Sequence, residues 1–144
     1  MTSDNPIHAL NLDHVVLRVV DVGRMCTFYR DVLGCTEERV NPAMGLTQLR
    51  AGVSLIDLVS IDGPIGREGG AAPGEAGRNV DHFCFRVGAW DDTRLAAWLS
   101  AHGVEHGEVK ERYGADGFGL SMYIRDPEGN RVELKGPPTR QLAG

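Results

Sequence analysis

The chain has 144 residues, 42% hydrophobic and 24% charged, with a formal net charge of −5. This fits one globular domain or two small subdomains and disfavours a nucleic-acid backbone or an anionic membrane as partner. No apolar run approaches the roughly 18 residues of a membrane span.

Residues 1 to 11 are polar and predict a loose lead-in. Met1 to Pro6 has neither the basic nor the apolar part of a signal peptide. Cys26, Cys35 and Cys84 have no CxxC spacing and cannot all pair within the chain, so a reducing, cytoplasmic setting is expected. Residues 12 to 20 are rich in Val and predict a buried strand. Asp21 suits a helix N-cap. Val22, Met25, Cys26, Tyr29, Val32 and Leu33 then fall at helical spacing, and Gly34 supplies the stop. Residues 35 to 41, 45 to 51 and 53 to 60 read as strands, broken at Asn41-Pro42 and at Ala51-Gly52. The stretch from 61 to 79 is rich in Gly, has no apolar period, and predicts a linker without structure of its own.

A second series follows in the same order. Residues 80 to 88 predict a strand. Residues 91 to 102 predict a helix with Leu95, Trp98 and Leu99 facing inward. Residues 105 to 111 predict another strand and 112 to 119 a flexible loop. Residues 120 to 125 and 130 to 135 complete the set. They are joined by Asp126-Pro127-Glu128-Gly129-Asn130, where Pro127 presets φ and Gly129 permits positive φ. The tail, 136 to 144, is not expected to extend the sheet.

The two series repeat in sequence as well as in order. Leu12-Asp13-His14-Val15-Val16-Leu17-Arg18-Val19 and Val80-Asp81-His82-Phe83-Cys84-Phe85-Arg86-Val87 share Asp, His, Arg and Val at an offset of 68 residues. Internal repetition constrains the whole architecture. The prediction is an α+β fold of two paired βαβββ modules, 12 to 60 and 80 to 135, in a single domain over 1 to 144. Their sheets would form an incomplete barrel around a central cavity.

Each module carries a His on its first strand and a carboxylate at the centre of its last: His14 with Asp57, and His82 with Glu133. A carboxylate buried among apolar neighbours is costly unless it is partnered. Imidazole and carboxylate together suit a divalent Zn, Ni, Co, Mn or Fe ion. Taken singly, each group could instead be a core His bonded to backbone or an acid on a solvent face; the duplication favours one shared site. His8, His102 and His106 read as surface residues. Arg18, Arg86, Arg131 and Lys135 share faces with these groups and could hold an anion, but solvent at the strand ends is the expectation. The cysteines read as small apolar fillers.

The chain resembles the vicinal-oxygen-chelate superfamily, which includes glyoxalase I, extradiol dioxygenases and bleomycin resistance proteins. The resemblance is carried by Leu12-Asp13-His14-Val15-Val16-Leu17, Phe28-Tyr29-Arg30-Asp31-Val32-Leu33-Gly34, Val80-Asp81-His82-Phe83 and Asp126 to Leu134. It implies metal ligands at His14, His82 and Glu133, with Asp57 where glyoxalase I has a Glu. It also implies a homodimer whose sites are shared between subunits. The leading expectation is a metal-dependent lyase or isomerase acting on a small molecule chelated through vicinal oxygens, with Glu133 as catalytic base. The alternatives are an Fe(II) extradiol-type dioxygenase, using His14, His82 and Glu133 alone, and a drug-binding protein without catalysis.

Overall fold

Alternation along the first strand sorts its side chains onto two faces. Leu17 and Val19 are buried, whereas His14 and Val16 are exposed, as a period of two requires. The same sorting recurs along the chain in the computed structural model, which describes residues 5 to 140. The remainder of the expected lead-in and tail, residues 1 to 4 and 141 to 144, lies outside the described residues.

The first module contains β1 (His14–Val19), α1 (Val22–Thr27), β2 (Thr36–Asn41), β3 (Leu46–Ala51) and β4 (Ser54–Ser60). Asp21 caps α1, accepting a hydrogen bond from Arg24 N at 2.9 Å. The predicted helix does reach Leu33, but Phe28–Val32 is wound as a π-helical turn. Gly34 at φ +78° ends it. The strands form one mixed sheet in the order β1-β4-β3-β2, with β1 and β4 parallel.

The second module repeats this plan with β5 (Phe83–Arg86), α2 (Asp92–Ala101), β6 (Lys110–Gly114), β7 (Gly117–Arg125) and β8 (Arg131–Pro138). Its sheet order is β5-β8-β7-β6, with β5 and β8 parallel. The architecture is therefore α+β, two βαβββ modules whose sheets do not close into a barrel.

Four predicted boundaries need correction. The strand expected at 80 to 88 spans only Phe83–Arg86, so His82 stands immediately ahead of it. The strand expected at 105 to 111 starts only at Lys110; upstream, His106 makes an isolated bridge to Ile124. The loop expected at 112 to 119 is instead the tight β6–β7 hairpin, since Gly114 pairs with Gly117 and glycine at φ +101° makes the turn there. The prolines were expected to stop the last strand, yet β8 runs to Pro138. It lies between β5 and β7, but at that end it pairs with β7 only, Gly119 opposite Pro138. A proline without an N–H is tolerated where no donor is needed.

The linker is also more ordered than predicted. It holds a short 3₁₀ turn, Gly66–Gly69, and a bridge between Gly74 and Gly77. Arg18 secures it, donating from Nε to Gly66 O at 2.7 Å and from its two Nη atoms to Gly70 O and Ala71 O at 2.6 and 3.1 Å. This side chain was expected to reach solvent; it is a structural tie.

One apolar cluster serves both modules. Leu17, Val19, Leu49, Ile56 and Leu58 from the first sheet join Met122, Ile124, Val132 and Leu134 from the second. Tyr29 bridges them, its ring 6.3 Å from those of Phe83 and Phe85. Its hydroxyl donates to buried Asp126 at 2.7 Å. The 126–130 turn joins the modules a second time: the Glu128 carboxylate accepts from Val20 N and Asp21 N, each at 2.8 Å. Trp98, expected inside, is half-exposed, and its indole donates to Val32 O at 2.9 Å. Because the core takes one face of each sheet, His14 and His82 stand on the opposite, uncovered faces.

Candidate metal centre

On the first sheet, His14 and Asp57 share the face away from the core. Nε2 of His14 stands 4.0 Å from Asp57 Oδ2, and the Asp57 side chain is only 7% exposed. Gln48, directly opposite Asp57 on β3, donates to both carboxylate oxygens at 3.2 Å. On the second sheet the arrangement recurs. Nε2 of His82 stands 3.4 Å from Glu133 Oε1, with the Glu133 side chain 8% exposed. Tyr123, opposite Glu133 on β7, meets the His82 ring edge-on at 5.3 Å. The guanidinium of Arg131 lies 4.0 Å over the Tyr123 ring.

The preceding residue fixes each imidazole. Nδ1 of His14 contacts Asp13 Oδ2 at 2.8 Å, and Nδ1 of His82 contacts Asp81 Oδ2 at 2.5 Å. A carboxylate only accepts, so Nδ1 carries the proton and donates. That leaves Nε2 as the atom facing Asp57 or Glu133. Nε2 and the carboxylate both present lone pairs there, an arrangement that suits a cation held between them.

The electrostatics follow. The hydrogen bond to Asp13, reinforced by the charge of Asp57, raises the pKa of His14 above 6.5. The hydrogen bond to His82 holds Asp81 below 3.8. Cys84 lies opposite Glu133, exposed on this same face and not the core filler expected. Partial desolvation of the thiol, though the residue itself is exposed, and the Glu133 charge push its pKa up to about 11, which makes it a poor nucleophile.

The donor chemistry suits a divalent ion. Two ligands, each roughly 2.1 Å from one ion, stand about 3 to 3.5 Å apart, close to the His82–Glu133 separation and slightly under that of His14–Asp57. Each sheet, however, supplies only two such donors. Among the described residues no group of three or more His, Cys, Asp or Glu is placed to hold a metal. The four predicted residues therefore stand as two separate His–carboxylate pairs, one on each sheet.

Sequence reasoning missed Asp13, Asp81, Gln48 and Tyr123. The first two had a signal, since Asp precedes His in both copies of the repeat. Gln48 and Tyr123 are set by cross-strand register, which the sequence does not display. The remaining histidines have local roles: His102 Nδ1 lies 2.9 Å from Trp98 O, and His106 Nδ1 lies 2.8 Å from Gly107 O.

Comparison with known proteins places the chain in a wider group. The family model described as the Glyoxalase/Bleomycin resistance protein/Dioxygenase superfamily matches residues 11 to 134. No curated protein matches the chain. Among solved structures, a virulence protein from Salmonella typhimurium is 25% identical, with 90% of this chain and 98% of that one covered at a TM-score of 0.74. An integron cassette protein from the mobile metagenome of V. Pseudocholerae is 26% identical, with 92% and 98% covered at a TM-score of 0.73. A lactoylglutathione lyase from Agrobacterium tumefaciens is 24% identical, with 92% and 96% covered at a TM-score of 0.63; at that identity it attests the fold alone.

Proposed function

The chain belongs to the Glyoxalase/Bleomycin resistance protein/Dioxygenase superfamily, and from that premise we propose a divalent-metal-dependent lyase or isomerase of the glyoxalase I type. The observation that carries this reading is the duplicated pair of His Nε2 against a buried carboxylate, each imidazole held from behind by an Asp. A ring oriented by a carboxylate at its other nitrogen is the common support for a metal-binding His.

His14 and Asp57 from one copy and His82 and Glu133 from a second would hold the ion. Both pairs lie on faces that the core leaves uncovered, so apposing those faces in a two-fold dimer makes two complete centres. When bound, the ion neutralises charge developing on two adjacent oxygens of a small substrate. Glu133 moves the proton between the neighbouring carbons, acting as general base and then as acid. Asp81 keeps the His82 ring in register, and Tyr123 walls the ring on one side and limits its rotation.

The test has two parts. Protein purified without chelator is analysed for metal, expecting Ni, Co, Zn or Mn in place of iron. It is then incubated in D₂O with a panel of α-hydroxycarbonyl compounds, expecting deuterium at the hydroxyl-bearing carbon next to the carbonyl. Glu133→Gln should lose this exchange. Iron together with oxygen uptake on catechols would overturn the reading in favour of a dioxygenase.

A further inference from the structure

We infer that Lys135 binds an anionic group of the substrate beside Glu133, so that the substrate is an acid bearing a carboxylate, phosphate or phosphonate. This deepens the proposed function and rests on its site. Lys135 is 4% exposed, and its Nζ is the one buried side-chain N or O among the described residues that has no hydrogen-bond partner. An ammonium has three donors and no acceptor capacity. Burying it unpaired is unfavourable, and a long Lys side chain ordinarily extends its head to water instead. The expectation of a solvent-reaching strand end is thereby overturned.

Its position gives the orphan charge a use. Lys135 lies two residues beyond Glu133 on β8, hence on the same face and about 7 Å along the strand. Arg86 on β5 and Ser121 on β7 flank it in register. Each has partners elsewhere. Arg86 pairs with Asp116 at 2.9 Å, and Arg112 donates to Ser121 O and Oγ at 2.8 and 2.7 Å. Glycine at 114 and 119 makes the seat: a Cβ at Gly114 would come within 2.9 Å of Lys135 Cε, and one at Gly119 within 3.1 Å of Nζ. The ammonium thus sits over a floor of glycines, between Arg86 and Ser121, and without an ion pair from its own chain among the described residues. A substrate anchored near Glu133 by its vicinal oxygens can bring that counter-ion.

The chain contains two lysines, Lys110 and Lys135, so selective labelling with ¹³C,¹⁵N-lysine gives two side-chain signals. Inorganic phosphate and, separately, acetate are titrated into metal-free and Zn-loaded protein. The expected result is a saturable shift of the Lys135 Cε and Nζ signals with at least one anion, Lys110 staying in place. Phosphate alone identifies a phosphate or phosphonate substrate, and acetate alone a carboxylate. By calorimetry, Lys135→Met should weaken that anion by about tenfold or more while metal stoichiometry is retained. A silent Lys135, parallel movement of Lys110, or unchanged binding by Lys135→Met overturns the inference. If Lys135→Met does not fold, the wild-type titration decides. Anion binding at Lys135 in protein that takes up no metal would sink the lyase reading and leave this one standing. Metal uptake with a silent Lys135 would do the reverse.

Discussion

At the scale of single residues, the Asp-His dipeptide carries more of the chemistry than its brevity suggests. His14 has its pKa raised first by the Asp13 hydrogen bond and then by Asp57. A folded-state value above the unfolded one stabilises the fold below about pH 6.5, and that contribution is lost as pH rises through the raised value. A metal must displace the same proton, so loading is expected to fail as pH falls through that value. Asp13→Asn should lower the His14 pKa, read from imidazole NMR titration of metal-free protein. It should also weaken metal affinity at pH 8 by about 10- to 100-fold through loss of orientation. An unchanged titration would contradict the Asp13 assignment. His82→Ala should abolish stoichiometric metal by elemental analysis. Asp57→Ala should be milder, and Asp57→Glu should restore or tighten binding if position 57 is a ligand. The pairing of His14 with Asp57 and of His82 with Glu133 was legible because an acid amid apolar neighbours needs a partner, and the repeat sets a His beside it in each module. Gln48 was not, since its contact to Asp57 exists only through the β3–β4 register. The burial of Lys135 was hidden because sequence shows a strand-end cation but not the glycine floor, set by pairing, that accommodates it.

At the scale of elements, the joints between the modules are polar and local. The Tyr29 hydroxyl reaches Asp126, which also accepts from Asn130 N and Nδ2 and from Glu128 N. Tyr29→Phe removes one hydrogen bond to a buried charge and should cost about 1.5 to 3 kcal/mol in denaturant unfolding. The linker is held against β1 and β4. A Cβ on Gly66 would fall 1.9 Å from Ser60 O, an overlap that only backbone movement relieves. Gly66→Ala should therefore release the turn from Arg18 and speed tryptic cleavage at Arg67 and Arg78, with unfolding shifted by about 1 to 3 kcal/mol. Cleavage at the wild-type rate would show that the tie is weak. The helices and most of the strands announced themselves through periodicity and turn residues. The β6–β7 hairpin did not, because Gly114, Gly117 and Gly119 look like a flexible loop when pairing is unseen. The order of the linker was equally hidden, since it depends on Arg18, some 50 residues upstream.

At the scale of the whole molecule, a single chain carries two His–carboxylate pairs on sheets that share one core. Among the described residues no three such donors come together, and one face of each sheet packs on the shared core. No helix among the described residues is long and apolar enough to cross a membrane. In the proposed function, apposition with another copy completes the centre. The repeat was readable in sequence, as were the modules it builds. Which faces meet depends on where Tyr29 and the 126–130 turn dock, and that was not. The central claim, a centre completed by two copies, is tested most directly by subunit mixing. Chains carrying His14→Ala and chains carrying His82→Ala are purified, unfolded together, refolded, and assayed for bound metal by native mass spectrometry. Neither variant alone should hold metal, and the mixed dimer should hold one ion in the site built from its two intact halves. A mixture that stays empty, or a wild-type monomer that carries a full complement of metal at micromolar concentration, would contradict the account.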